Sequence, residues 1–376
     1  MHFKRVLQTI LIGMFLIWGT SDLFAQDYYV YVAAESDDQV HLVHFDGESQ
    51  QGKISETIDV GTWPQENEGP HGLNISPDGE YWFVSIAHGM PYGSLWKYRT
   101  GTNELIDKVE LGLFPATMDI SSSTGLLYVV NFNLHGDMEP STVSVVEPES
   151  MMRLDDIKTG IMPHGSRITD DGTRQYHVSM MTDELIEIDT KTLEVSRRLK
   201  LGKDDGDQNG MSESSHMDHG EMNHGEMNHN PIEKPTWADP HPTKPFVYLA
   251  GNGSDEILEI NTEQWKITNR WSTGKAPYNL EVSNNGKLLV VTYKGEGATG
   301  VWNLDEGKEL AKIPNSRKVS HGVTLSPDNK FAFISVEGIG GEPGSVDIIN
   351  LKTLKRVDVV ETGKQAGGII FWKMES

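Results

Sequence analysis

One turn phrase recurs along this chain, and it limits the folds open to it. "ISPDGEYWFVS" (Ile75 to Ser85) returns as "ISSSTGLLYVVN" from Ile120, "ITDDGTRQYHVS" from Ile168, "VSNNGKLLVVT" from Val282 and "LSPDNKFAFIS" from Leu325. A more distant copy, "DPHPTKPFVYLA", starts at Asp239. Each copy ends one apolar strand, turns through a polar pair such as Asp-Gly or Asn-Gly, and opens a second strand. Those pairs accept the positive φ that a tight hairpin needs. Gly79 to Gly125 is 46 residues, Gly125 to Gly172 is 47, Lys244 to Gly286 is 42 and Gly286 to Asn329 is 43. A period of this length with four strand-like runs per unit is the pattern of a β-propeller.

The expectation is an all-β, seven-bladed propeller of four-stranded blades. The first unit, from Tyr28 to Gly61, shows three strand-like runs, and a lone run, "GGIIFWKM" (Gly367 to Met374), is left at the end. Pairing the two closes the ring and removes an exposed edge. Between Gly172 and Lys244 the spacing is 72, so residues 203–234 form an insert between blades four and five, expected to be disordered. The domain plan is a signal peptide over residues 1–25, a propeller over 26–376, and that insert.

"LYVVN" and "VYLAGN", each after a turn phrase such as "SPDG", resemble the YVTN-repeat family of seven-bladed propellers and its YncE-like group. The tryptophan-aspartate signature of WD40 repeats is missing. Members of the resembled family are exported and surface-layer proteins, so the resemblance implies the same setting here. The N-terminus agrees with it. Lys4 and Arg5 precede an apolar run from Val6 to Trp18, and "SDLFA" places cleavage after Ala25. That run is short for a bilayer span. The mature chain is expected to be periplasmic or secreted, without stable membrane insertion.

Formal charge is -23, from 55 acidic and 32 basic side chains, which disfavours nucleic acid as a partner. There is no cysteine, so disulfides, thiolate zinc sites and blue-copper cysteine sites are excluded.

Aligning the repeats on the turn phrase places His71, His164 and His321 at one offset, in "GPHGLNIS", "MPHGSRIT" and "VSHGVTLS". Tyr278 holds that offset in blade six. The first strand of each propeller blade lines the axis, so these side chains are expected to converge at one channel mouth. The ends of the second strands add His88, Met180, Met181, Lys294 and Glu337 to that mouth, with His177 one pleat earlier. Arg167, two residues beyond Gly165, is a further channel candidate suited to an anion.

The insert carries "HMDHGEMNHGEMNHN" (His216 to Asn230). Residues 211–230 hold His216, His219, His224 and His229 with Met211, Met217, Met222 and Met227. Thioethers favour Cu(I) and imidazoles bind Cu(II), zinc or nickel. The stretch resembles the Met/His-rich segments of periplasmic copper-resistance proteins. The histidine cluster is also similar to the one on the propeller of nitrous oxide reductases, whose cupredoxin domain this chain lacks. The expected function is therefore copper handling or delivery, with the loop capturing metal beside a channel-mouth cluster. Zinc and nickel are the alternative metals. The alternative functions are a lactonase-like or metal-dependent hydrolase or oxidoreductase, and a scaffold for a partner protein.

Overall fold

The computed structural model describes residues 26–63, 65–88, 92–202 and 231–376. It is a ring of seven four-stranded antiparallel sheets. The turn phrases close as read. Gly79, Gly125, Gly172, Gly286 and Asn329 all adopt positive φ, between 59° and 74°. The amide of each donates to a carbonyl three or four residues back, as Gly79 N does to Ser76 O at 2.8 Å.

The ring closes through its ends. The C-terminal strand Ala366–Glu375 pairs with Asp27–Ala34, and Gln39–Asp46 and Gln51–Asp59 complete that blade. An aromatic cluster fills the seam. Tyr28 meets Phe331 edge-on at 5.1 Å, and Phe45 meets the same ring at 4.9 Å. The Tyr28 hydroxyl donates to Asp328 across the seam at 2.9 Å.

No single core exists. Each seam between neighbouring blades carries its own apolar cluster, such as Tyr31, Trp82, Val84 and Trp96 between blades one and two. The sheets face each other through these layers, and the fourth strand of each blade is largely exposed, as in Leu105–Glu110. The axis is lined by the inner strands Pro70–Ile75, Pro115–Ile120, Pro163–Ile168, Pro235–Pro240, Pro277–Val282, Val319–Leu325 and Ala366–Glu375.

Much of the insert, and all of residues 1–25, lie outside the described residues. The C-terminal end of the expected insert does not match a disordered segment. The backbone amides of Ile232, Glu233 and Lys234 all donate to the carboxylate of Asp183. The Glu233 side chain is fully buried against Arg270, 3.0 Å away. Irregular backbone is thus tied down by a carboxylate that satisfies several amides at once.

Candidate functional site at the channel mouth

Strand pairing sets the levels of the channel. Pro70, Pro115, Pro163, Pro235, Pro277, Ser320 and Ala366 stand opposite the equivalent residues of their second strands, Ile86, Asn131, Ser179, Gly251, Tyr293, Val336 and Ala34. The next inner-strand residues therefore form one level: His71, Ala116, His164, Thr236, Tyr278, His321 and Gly367. The residues that follow Ile86, Tyr293, Val336 and the others form the rim above it. These include Glu35, Met180, Lys294 and Glu337.

The three register histidines are buried and adjoin. The His71 ring centroid lies 6.2 Å from that of His164 and 5.9 Å from that of His321. The residue after each histidine is glycine because the inner strands crowd at the axis. A Cβ on Gly72 would stand 1.8 Å from the Ala116 carbonyl, and one on Gly165 would stand 2.4 Å from that of Thr236. Hydroxyls stitch blade to blade and hold the histidine backbones. Thr117 donates to the His164 carbonyl at 2.9 Å, and Thr292 to that of His321 at 2.7 Å.

The ring nitrogens are differently occupied. His71 Nδ1 is 2.6 Å from Glu35 Oε1, and His164 Nδ1 is 2.8 Å from the Thr236 carbonyl. A carbonyl can only accept, so His164 carries its proton on Nδ1, and its Nε2 receives the Tyr278 hydroxyl at 3.2 Å. His321 Nδ1 is buried with no partner among the described residues. Its Nε2 is 3.8 Å from Glu337, which pairs with Lys294 at 3.1 Å. Lys294 also lies over the Tyr278 ring, 4.2 Å from its centre.

Burial dominates the electrostatics. It pushes His164 down to about 3, with the neighbouring His71 adding to the effect. Burial, then the charges of Lys294 and His71, hold His321 well below the usual imidazole range. Both are neutral at pH 7 and keep a lone pair. Burial opposes ionisation of Glu35, but the charge and hydrogen bond of His71, with help from His88, outweigh it and hold the carboxyl below its usual range.

His88 sits on the rim, 3.8 Å from Glu35 Oε2 and 3.2 Å from His135. Met180 packs with Phe114 and Phe132 on the same side, and Phe132 lies edge-on to His164 at 4.7 Å. Met181 is half-buried in the following turn. Tyr278 and Glu337 are at the mouth, as expected.

Two expected members are elsewhere. His177 is fully buried between blades three and four, and both ring nitrogens are spent on Thr159 and Gln175. It faces a sheet seam, because alternation turns its side chain away from the channel. Arg167 lines the axis, but at the opposite end. It stacks 5.0 Å over Trp237 and faces Glu281 at 4.0 Å. Strand pairing puts it level with Asn74, Asp119, Asp239, Glu281 and Thr324. That lower level is a girdle. Asp119, Asp239 and Glu281 each accept a backbone amide from the next blade, at 2.8, 2.6 and 3.0 Å. Burial raises all three carboxyls, Glu281 to about 7, against the opposing pull of Arg167.

Among the described residues no group of three or more histidine or carboxylate side chains stands ready to enclose a metal ion. Three imidazoles bound through Nε2 at about 2.0–2.1 Å would have ring centres about 5 Å apart, so the His71–His164 and His71–His321 spacings are each wider than in a closed site by about 1 Å. Tyr278 adjoins both His164 and His321, at 5.5 and 4.6 Å. Residues 211–230, with all eight Met/His candidates of the insert, lie outside the described residues.

Glu35 and His135 were not among the residues expected from the sequence. Glu35 falls in the short 3₁₀ turn Glu35–Asp37 after the first visible strand. Its signal was the register it shares with Lys294 and Glu337. His135 follows no register and had none.

No helix among the described residues is long and apolar enough to cross a membrane. No family model matches the chain, and no curated protein matches it. Solved structures do resemble it. A protein from Lactobacillus plantarum aligns with a TM-score of 0.70 at 13% identity, over 92% of this chain and 100% of that one. A functionally unknown protein from Desulfotomaculum acetoxidans aligns at 0.66 and 14%, over 92% and 98%. Kuenenia stuttgartiensis hydrazine synthase aligns at 0.59 and 14%, over 89% and 95%. At such identities the shared property is the fold, and the chain is a seven-bladed β-propeller.

Proposed function

We propose that this protein is an exported, YVTN-like propeller that binds a transition metal at the histidine level of its channel, copper before zinc or nickel, and serves copper handling or delivery. One observation carries the reading. Three buried imidazoles stand at one level, and each has a ring nitrogen not tied to a carboxylate or a carbonyl. Nδ1 of His71 and of His164 is occupied by a carboxylate and a carbonyl, which leaves Nε2 of His71 to be presented, while Nε2 of His164 would exchange the Tyr278 hydroxyl for the metal. Metal-ligating histidines are usually oriented by such a partner on the other nitrogen. On His321 the nitrogen without a partner is Nδ1 itself, in a buried setting where that is costly. Neutral His164 and His321, with Lys294 balanced by Glu337 and the Glu35 carboxylate beside His71, suit a cation. The Met/His stretch supports copper on ligand softness alone.

The test is chelator-resistant metal. The mature chain, loaded with copper and washed with a chelator, is expected to retain about one ion. A variant with His71→Ala, His164→Ala and His321→Ala is expected to lose it. Equal retention by both proteins would move the site elsewhere.

A further inference from the structure

The loops after the second strands of blades two and three meet on the rim. There His88 Nδ1 and His135 Nε2 stand 3.2 Å apart, with ring centres 5.3 Å apart and planes inclined at 38°. His135 is exposed and His88 half-buried. Two imidazole nitrogens bound to one zinc or copper ion at about 2.0–2.1 Å lie about 2.9 Å apart in adjacent square-planar positions, and about 3.4 Å apart in a tetrahedron. The observed spacing is that of a hydrogen bond between the two rings and falls between these values, so a shared ion would replace the bridging proton as both lone pairs turn toward it.

The backbone holds both rings in place. His88 N donates to the Glu68 carbonyl and Ala87 N to that of Gly69, each at 2.9 Å. Gly69, at φ +61°, leaves the room the ring needs, because a Cβ there would stand 2.1 Å from His88 Cδ2. On the other side, Asn133 takes a left-handed φ of 60° and caps the turn, its amide donating to the Asp137 carbonyl at 2.9 Å. Phe114 packs edge-on against both rings, at 4.9 and 5.5 Å, and forms an apolar floor. The second carboxylate oxygen of Glu35 reaches toward His88 Nε2, while the first holds His71.

We propose that His88 and His135 form a second transition-metal site, solvent-facing and completed by water, that takes zinc, Cu(II) or nickel in exchangeable form. Glu35 separates it from the histidine level by one carboxylate. Its role as a loading station rests on the reading given under Proposed function, but the pair's own binding does not.

The test uses the full mature chain and Zn(II) as probe. Diethyl pyrocarbonate labelling, read residue by residue by peptide mass spectrometry, separates these two histidines from those of residues 211–230. Zn(II) is expected to protect His88 and His135 together. In a His88→Ala variant the Zn(II) needed to protect His135 should rise about tenfold or more, since losing a ligand costs at least as much as losing an orienting partner. Gly69→Ala, which displaces the His88 ring, should do the same. Lack of protection in the parent protein, or unchanged protection of His135 in both variants, overturns the proposal. Chelator-resistant copper should be unaffected by His135→Ala, a change on an exposed loop. Failure of the channel site and failure of the rim pair are therefore read separately.

Discussion

At the scale of single residues, the channel mouth depends on what orients each imidazole. Glu35→Ala removes the acceptor of a buried His71 nitrogen. An unpaired buried group of this kind costs about 1–3 kcal/mol, so the melting temperature should fall by several degrees. Metal affinity should fall about 10–100-fold with it. Calorimetry and a copper competition assay check the two effects, and an unchanged affinity would show that Glu35 does not orient a ligand. The lower girdle makes a separate prediction. Glu281 has a folded pKa of about 7, above its unfolded value, through burial opposed by Arg167 and supported by Asp119. The folded state then holds more protons between about pH 4.5 and 7. Stability from this group is complete below that window and is lost as pH rises through it. In Glu281→Gln the melting temperature should fall less between pH 5 and pH 8 than in the parent, as thermal denaturation across that range would show.

The register histidines could be read from the sequence because a fixed offset from a turn becomes a fixed height on an axis. Arg167 shares their strand but lies three residues further along. At about 3.3 Å per residue that is about 10 Å further along the channel, at the level of the carboxylate girdle. His177 required knowing which face of a second strand points to a seam. Glu35 shares the register of Lys294 and Glu337 but sits in a 3₁₀ turn that the strand pattern does not mark, and His135 belongs to an irregular loop, where no period carries information.

At the scale of elements, the glycine after each register histidine and the hydroxyls of Thr117 and Thr292 show that inner strands are packed backbone to backbone. The closing strand Ala366–Glu375 is the least local of these contacts, since it pairs with Asp27–Ala34 at the other end of the chain. Truncation after Gln365 would strip the aromatic seam of Phe371 and leave Asp27–Ala34 as an open edge. The expected result is loss of the cooperative melt and association through that edge, seen by circular dichroism and size-exclusion chromatography. A truncated chain that stays monomeric with the same melting temperature would contradict the role given to closure. This pairing was readable because one blade lacked a strand and one strand lacked a blade.

At the scale of the whole molecule, a ring of seven seams leaves a polar axis that no core fills. Its two ends differ: buried histidines with Glu35 and a Lys294–Glu337 pair at one mouth, carboxylates around Arg167 at the other. A cavity of about 510 Å³ opens at the carboxylate end. Between the levels a chamber of about 30 Å³ is lined by His71, Arg167, Trp237, Asn279 and His321. Metal binding is thus argued for one end of an asymmetric channel, and the most direct test locates the ion. A crystal of the copper-loaded mature chain, measured at the copper absorption edge, should show an anomalous peak within about 2.5 Å of nitrogens from His71, His164 and His321. A fully loaded crystal with no peak at that level would contradict metal binding by the channel histidines.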